Sequence, residues 1–147
     1  MNRKRLENQS VESNSGVIYT TYSPAREILK TYRVKLTKLG IGLFVEAGCM
    51  RKTVLSDDNF AKMMRYAMEL ALDGINRTEL SGRYLQIRCM DMQCKLFLKF
   101  TYSSDQDQFP NNRYFEELER IISTRGGYLA IDNLKCENVL KIALPVK

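Results

Sequence analysis

The sequence contains no histidine. Nucleophilic catalysis of the Ser-His-Asp or Cys-His type uses an imidazole as its base, so both kinds of active site are excluded. Zinc sites with histidine ligands are excluded for the same reason. The four cysteines, Cys49, Cys89, Cys94 and Cys136, include no C-x-x-C pair, which argues against a zinc site of four thiolates. We expect them to be reduced cysteines on strands, as in a reducing compartment.

Long apolar runs are also missing. No segment approaches the ~20 apolar residues of a membrane-spanning helix, and the polar N-terminus has no signal-peptide core. The length of 147 residues suits one domain, and the 44% of hydrophobic residues is ordinary for a globular protein. We expect residues 1–16 to be a flexible tail or linker and residues 17–147 to fold. The expected location is the cytoplasm, either alone or as the soluble part of a membrane-anchored receptor.

The net charge of +6 is not concentrated in one basic block. On the first predicted helix, Arg26, Lys30 and Arg33 recur at helical spacing, as a stripe that follows nucleic-acid phosphates would. No aromatic residues cluster with them to stack on bases, so a solvated helix face is the favoured interpretation. Nucleic acid is therefore not expected as a partner, and a basic nucleic-acid-binding module is kept only as an alternative function.

Apolar residues that recur at intervals of three and four predict three amphipathic helices. Each has a start or stop signal: a serine and a proline before the first, a serine and two aspartates before the second, and two glycines after the third. The first helix is predicted over about 24–39, with Ser23-Pro24 at its start and Gly40 at its end. The second runs from Phe60 to Ile75 after Ser56-Asp57-Asp58. The third runs from Tyr114 to Ile122 before Gly126-Gly127.

Five segments predict strands. Two of them alternate apolar and polar residues around the short turn 90–93, which is typical of a hairpin with one covered face. The five segments are Ile41–Val45, Leu85–Cys89, Leu96–Tyr102, Leu129–Ile131 and Leu140–Leu144. The order α-β-α-β-β-α-β-β predicts an α/β (α+β) fold, a two-layer sandwich in which three helices cover one face of a mixed sheet.

This order and three stretches of sequence resemble the ATP-binding domain of sensor histidine kinases, in the GHKL superfamily with its Bergerat-type fold, and above all the quorum-sensing branch. The stretches are YSPAREILKTYRVKLTKLGIGLFVEAG (22–48), DDNFAKMMRYAMELALDGINRTELSGRYLQIRCMDMQCKLFLKFTYSS (57–104), and ELERIISTRGGYLAID with IALP (117–132 and 142–145). The resemblance covers about residues 19–147. It implies an upstream dimerisation helix or sensor domain as a partner, with a response regulator as a further one.

The motifs that bind nucleotide in this family are altered here. The family's N-A-x-E-A box matches residues 70–74, so Leu70 stands where an asparagine holds Mg²⁺, and a hydrocarbon cannot ligate that ion. Asp73 keeps the acidic position of the box and is the one weak candidate for a metal ligand. Tyr102 matches the residue that binds adenine. The glycine-rich phosphate loop matches residues 112–115, which contain no glycine.

Tyr66 precedes Leu70 by one helical turn, on the stripe that faces the nucleotide in the family. In one interpretation, Tyr66 and Leu70 pack against the following loop and close the former pocket. In the other, these two residues line a small apolar pocket together with Tyr102 and Tyr114, and Asp73 is its polar anchor.

The altered motifs predict a histidine-kinase-type domain of a two-component signalling protein that is degenerate in ATP binding and acts as a regulatory or interaction module, with no cofactor. The alternative is an active catalytic domain of a sensor histidine kinase with ATP and Mg²⁺, in which Asp73 handles the metal and the backbone of 103–114 handles the phosphates. Without histidine, the chain holds no phospho-acceptor of its own. Whether it is an enzyme is left open by the sequence.

Overall fold

A computed structural model describes residues 20–47, 50–76, 82–108 and 112–147, and the predicted tail 1–16 lies outside them. The eight elements follow the predicted order. Their bounds are α1 (Ser23–Lys38), β1 (Gly42–Glu46), α2 (Asp57–Asn76), β2 (Tyr84–Met92), β3 (Lys95–Ser103), α3 (Arg113–Ser123), β4 (Tyr128–Leu134) and β5 (Glu137–Pro145).

The five strands form one sheet in the order β1-β2-β3-β5-β4. Strand β1 runs parallel to β2 and every other neighbouring pair is antiparallel, so the sheet is mixed as predicted. The central helix α2 packs on β3 and β5, while α1 packs on β1 and α3 on β4. The fold is therefore the two-layer sandwich expected from the sequence.

The core lies between the helices and the inner face of the sheet. Its largest fully buried side chains include Phe60 from α2, and Phe100 and Tyr102 from β3. Alternation along β3 buries every second residue from Leu96 to Tyr102, which matches the predicted apolar face. No helix in the described ranges combines the length and the apolar character needed to cross a membrane.

Helix α1 ends as predicted but starts differently. Gly40 has φ +73°. The Gly40 N–H donates to the carbonyl of Thr37 (3.1 Å), and the Ile41 N–H donates to the carbonyl of Leu36 (2.9 Å). This pair of bonds around a left-handed glycine is a Schellman motif. The predicted serine cap is wrong, because Ser23 is already helical. The extended backbone of Tyr22 takes the cap position, and its carbonyl accepts the N–H of Arg26 at 2.9 Å.

The start of α2 is confirmed, since Ser56 Oγ accepts the N–H of Asn59 at 3.2 Å. The prediction that the cysteines lie on strands holds only for Cys89, which is half-buried on β2. Burial raises the pKa of the Cys89 thiol to about 12, so it stays protonated and unreactive. Cys94 and Cys136 are exposed in the turns of the two hairpins, and Cys49 lies outside the described residues.

Candidate functional site

Helix α2 and the end of strand β3 meet at Gly74. A Cβ atom at this position would lie 2.7 Å from Cε2 of Tyr102 and 3.0 Å from Oε1 of Gln108. Side chains do not tolerate such distances, so glycine is what allows the Tyr102 ring and the Gln108 carboxamide to lie directly against the helix. Both side chains are buried there, and Gln108 is only 6% exposed.

The carboxamide of Gln108 is held from three sides. Its Nε2 donates to the backbone carbonyl of Leu70 on α2 at 3.0 Å. Its Oε1 accepts the hydroxyl of Tyr102 and, at 3.3 Å, Nδ2 of Asn138 on β5. A carbonyl has two lone pairs, so Leu70 can accept this bond in addition to a helical one. We call these four residues, Leu70, Tyr102, Gln108 and Asn138, the Gln108 network.

The backbone of the segment after β3 is tied inward as well. The Gln108 N–H donates to Oδ1 of Asn133 at 2.9 Å, and Nδ2 of Asn133 returns a bond to the Gln108 carbonyl at 3.0 Å. Nδ2 of Asn138 donates to the carbonyl of Gln106 at 3.1 Å. These bonds fix residues 104–108 against the β4–β5 hairpin, so this segment, predicted only as a polar loop, delivers a side chain into the interior.

The Gln108 network is neutral, and almost all of its polar atoms are bonded. Desolvation by burial raises the pKa of Tyr102 well above its usual range, so its hydroxyl remains a donor at physiological pH. Asn138 Oδ1 is the one buried side-chain polar atom without a hydrogen-bond partner within the described ranges. A buried acceptor of this kind costs about 1–3 kcal/mol. The side chains of the network are thus held in place by hydrogen bonds, and the one buried acceptor without a partner is Asn138 Oδ1.

The predicted phosphate-loop segment begins with a helix cap. Oδ1 of Asn112 accepts the N–H groups of Tyr114 (2.8 Å) and Phe115 (3.4 Å) at the start of α3. Its Nδ2 donates to Oδ2 of Asp73 on α2 at 3.2 Å. One asparagine therefore satisfies two of the free N–H groups in the first turn of α3 and links that helix to α2.

We expect Asn112→Ala to lower the free energy of unfolding by about 1 kcal/mol, the usual loss for an N-cap asparagine. Asn112→Ser keeps an acceptor for the N–H groups but cannot reach Asp73 in the same way, so it should recover most of the loss. Denaturant unfolding of both variants measures this. If serine were as damaging as alanine, the cap would not be the stabilising contact.

The five residues predicted to line the pocket take different positions. Leu70 and Tyr102 are fully buried and meet through Gln108. Tyr66 and Tyr114 are partly buried and pack against the core, and the Tyr114 hydroxyl accepts a bond from Arg113 at 2.6 Å. Asp73 is joined to the cap of α3. No group of three or more Cys, Asp or Glu side chains that could hold a metal occurs in the part of the chain that is described.

Sequence reasoning missed Gln108, Asn133 and Asn138. Asn138 could have been found, because it takes a buried position that alternates with Leu140 and Ile142 on β5. Gln108 gave no signal, since it stands among polar residues of a loop and the partners that hold its side chain against α2 and β5 lie 38 and 30 positions away in the chain.

No family model and no curated protein sequence matches this chain. Solved structures do. The nucleotide-free catalytic domain of the histidine kinase ThkA superposes with a TM-score of 0.66 at 14% identity, over 84% of this chain and 90% of that one. The histidine kinase AdeS of Acinetobacter baumannii gives 0.70 at 10% identity, over 85% and 64%. The mycobacterial sensor histidine kinase MprB gives 0.62 at 12% identity, over 85% and 93%. The chain therefore has the fold of histidine kinase catalytic domains, as the resemblance of its sequence predicts.

Proposed function

We propose that this chain is a GHKL domain of a two-component signalling protein in which the nucleotide cleft is closed, and that it acts as a regulatory or interaction module. Its partners in this proposal are a dimerisation helix or sensor domain and a response regulator. The observation that carries the proposal is the buried Gln108 carboxamide, which bridges Leu70 and Tyr102. Through the resemblance, these are the positions of the metal-holding and adenine-binding residues.

The residues present do not suit Mg-ATP. Magnesium takes oxygen ligands, whereas the Leu70 side chain is a buried hydrocarbon and the Leu70 carbonyl is bonded to Gln108. In the family, the residue that matches Tyr102 binds the adenine amine, but here Tyr102 is fully buried and its hydroxyl is bonded to the buried carboxamide of Gln108. These contacts support a cleft filled from within.

The start of α3 argues in the same direction. A helix N-terminus binds phosphate through free N–H groups. Here, the N–H groups of Tyr114 and Phe115 are bonded to the Asn112 side chain. A phosphate would have to displace this cap, and no glycine in 112–115 allows a close approach of the backbone.

Calorimetric titration of the full chain with a non-hydrolysable ATP analogue, with and without Mg²⁺, tests the proposal. We expect no saturable heat and no change in thermal unfolding. At about 1 mM, a ligand with a Kd of ~10 µM would add about 2.7 kcal/mol to the free energy of unfolding, so binding would be evident. A nucleotide-binding histidine kinase catalytic domain serves as the positive control. Saturable, Mg-dependent binding would favour the active catalytic alternative instead.

A further inference from the structure

The sheet carries helices on one face, and its other face, here called the outer face, concentrates the exposed apolar side chains. Seven large apolar side chains are exposed among the described residues. Two of them, Val34 and Leu39, lie on or at the end of α1. The other five alternate with inward-facing residues along β1, β2 and β4 and so point outward: Phe44, Met90, Met92, Tyr128 and Leu134. Apolar groups gathered on one face mark a surface for interaction.

A row of cations crosses the middle of the outer face. The strand register sets Arg88 opposite Lys99, and Lys99 opposite Lys141. Directly opposed like charges destabilise a sheet. Two carboxylates offset the repulsion between these cations at the ends of the row. Glu46 Oε1 lies 3.1 Å from Arg88 Nε, and Asp132 Oδ2 lies 2.6 Å from Lys141 Nζ.

Lys99, at the centre of the row, has no ion-pair partner in the part of the chain that the structure describes. It is half-buried on β3, flanked by two other cations. The adjacent register row is apolar, with Met90 opposite Phe97 and Ala143 opposite Tyr128. The outer face thus combines an apolar strip with a central cation, Lys99, that no carboxylate of the described residues neutralises. A second cation without such a partner, Lys95, is exposed beside Met92 at the end of β3.

We propose that the outer face docks an acidic amphipathic helix of a partner protein. The apolar side of that helix would cover Phe97, Tyr128 and the two methionines, and one of its carboxylates would pair with Lys99. A helix here adds a third layer to the sandwich, the usual way in which the second face of a sheet is covered. Methionine side chains are flexible and adapt to apolar partners. The surface lies across the sheet from the Gln108 network, so the inference does not depend on the state of the cleft.

The charges favour this occupant over two others. Nucleic acid affinity comes from several phosphates neutralised by protein cations, but two of the three cations in this row are already paired. A second copy of the chain, related by a two-fold axis through Lys99, would set two cationic rows against each other. An amphipathic helix with a single well-placed carboxylate covers the apolar strip and also pairs with Lys99.

Fluorescence anisotropy with two labelled amphipathic peptides of about 18 residues, or five helical turns, tests the proposal on the full chain. Both peptides carry a leucine stripe, flanked by glutamates in one and by lysines in the other. We expect the glutamate peptide to bind at least tenfold more tightly than the lysine peptide. Lys99→Glu should reverse this preference, and Tyr128→Ser should weaken the binding of both peptides at least fivefold. Tyr128 is 55% exposed, so its replacement leaves the fold intact.

Lys30→Glu is the matched control, because it makes the same charge change at an exposed position of α1 and should alter neither affinity. Equal affinity for the two peptides, or no response to Lys99→Glu, would overturn the proposal. So would tighter, Lys99-dependent binding of a single-stranded oligonucleotide or of phosphatidylserine vesicles, or a dimer in sedimentation that Tyr128→Ser dissociates. Repeating the peptide titration in the presence of the ATP analogue separates the two proposals. If the nucleotide binds and the peptide affinity does not change, only the proposal of a closed cleft is contradicted.

Discussion

Tyr102→Ala is expected to lower the free energy of unfolding by about 3–5 kcal/mol, the range for deleting a large buried aromatic ring. Tyr102 is among the largest fully buried side chains, and its ring lies against Gly74 of α2. Alanine leaves a cavity between α2 and β3 and also removes one of the two donors to Gln108 Oε1. Urea unfolding followed by circular dichroism measures the loss.

Tyr102→Phe is the matched control, because it keeps the ring and removes only the hydroxyl. Gln108 Oε1 retains the bond from Asn138, so we expect a loss of about 1 kcal/mol. The difference between the two variants isolates the contribution of the ring. A loss below about 2 kcal/mol for the alanine variant, beneath the range for buried aromatic residues, would mean that the surroundings collapse into the cavity and that the ring is not what fills this part of the domain.

A double-mutant cycle of Tyr102→Phe with Gln108→Ala adds a test of the network itself. Residues that share one hydrogen-bond network are expected to couple by about 0.5–3 kcal/mol. Under the proposed function, neither variant should bind nucleotide, because Leu70 still offers no side-chain oxygen to a metal. Stability and nucleotide affinity therefore report on different parts of the same cleft.

The sequence predicted the elements well because their signals are local. The apolar stripe of α2, the Ser56 cap and the Gly40 stop each depend on residues within a few positions of one another, and the structure confirms all three. The one wrong cap, at Ser23, reflects a shift of a single residue in the first helical hydrogen bond.

The candidate site was only partly predictable, because its contacts are between residues far apart in the chain. Leu70 and Tyr102 could be singled out through the resemblance, and the structure brings them together. The group that joins them, Gln108, comes from a polar loop whose inward course is fixed by Asn133 and Asn138 on another hairpin. No periodicity or spacing within residues 103–112 encodes that course.

The turn between α3 and β4 gives the second large effect, and its two adjacent glycines should respond differently. A Cβ on Gly127 would lie 2.5 Å from Cγ2 of Ile122, 2.9 Å from the carbonyl oxygen of Ala143 and 3.0 Å from that of Ile122. Two of these atoms are backbone, so the strain cannot be relieved by a side-chain rotation. We expect Gly127→Ala to cost about 3 kcal/mol of unfolding free energy, the upper end for overpacking.

Gly126→Ala tests a different cause at the neighbouring position. Gly126 has φ +75°, and a Cβ there would meet only Cγ of Pro145, at 4.0 Å. Its cost is that of a left-handed backbone, about 1 kcal/mol. Denaturant unfolding of both variants should therefore rank Gly127→Ala as the more damaging by a clear margin. Because β4 begins at Tyr128, directly after this turn, a strained Gly127 should also weaken the peptide binding proposed for the outer face, whereas Gly126→Ala should leave it intact. Equal losses would mean that backbone conformation, and not the close approach of Gly127 to Ile122 and Ala143, is what demands glycine in this turn.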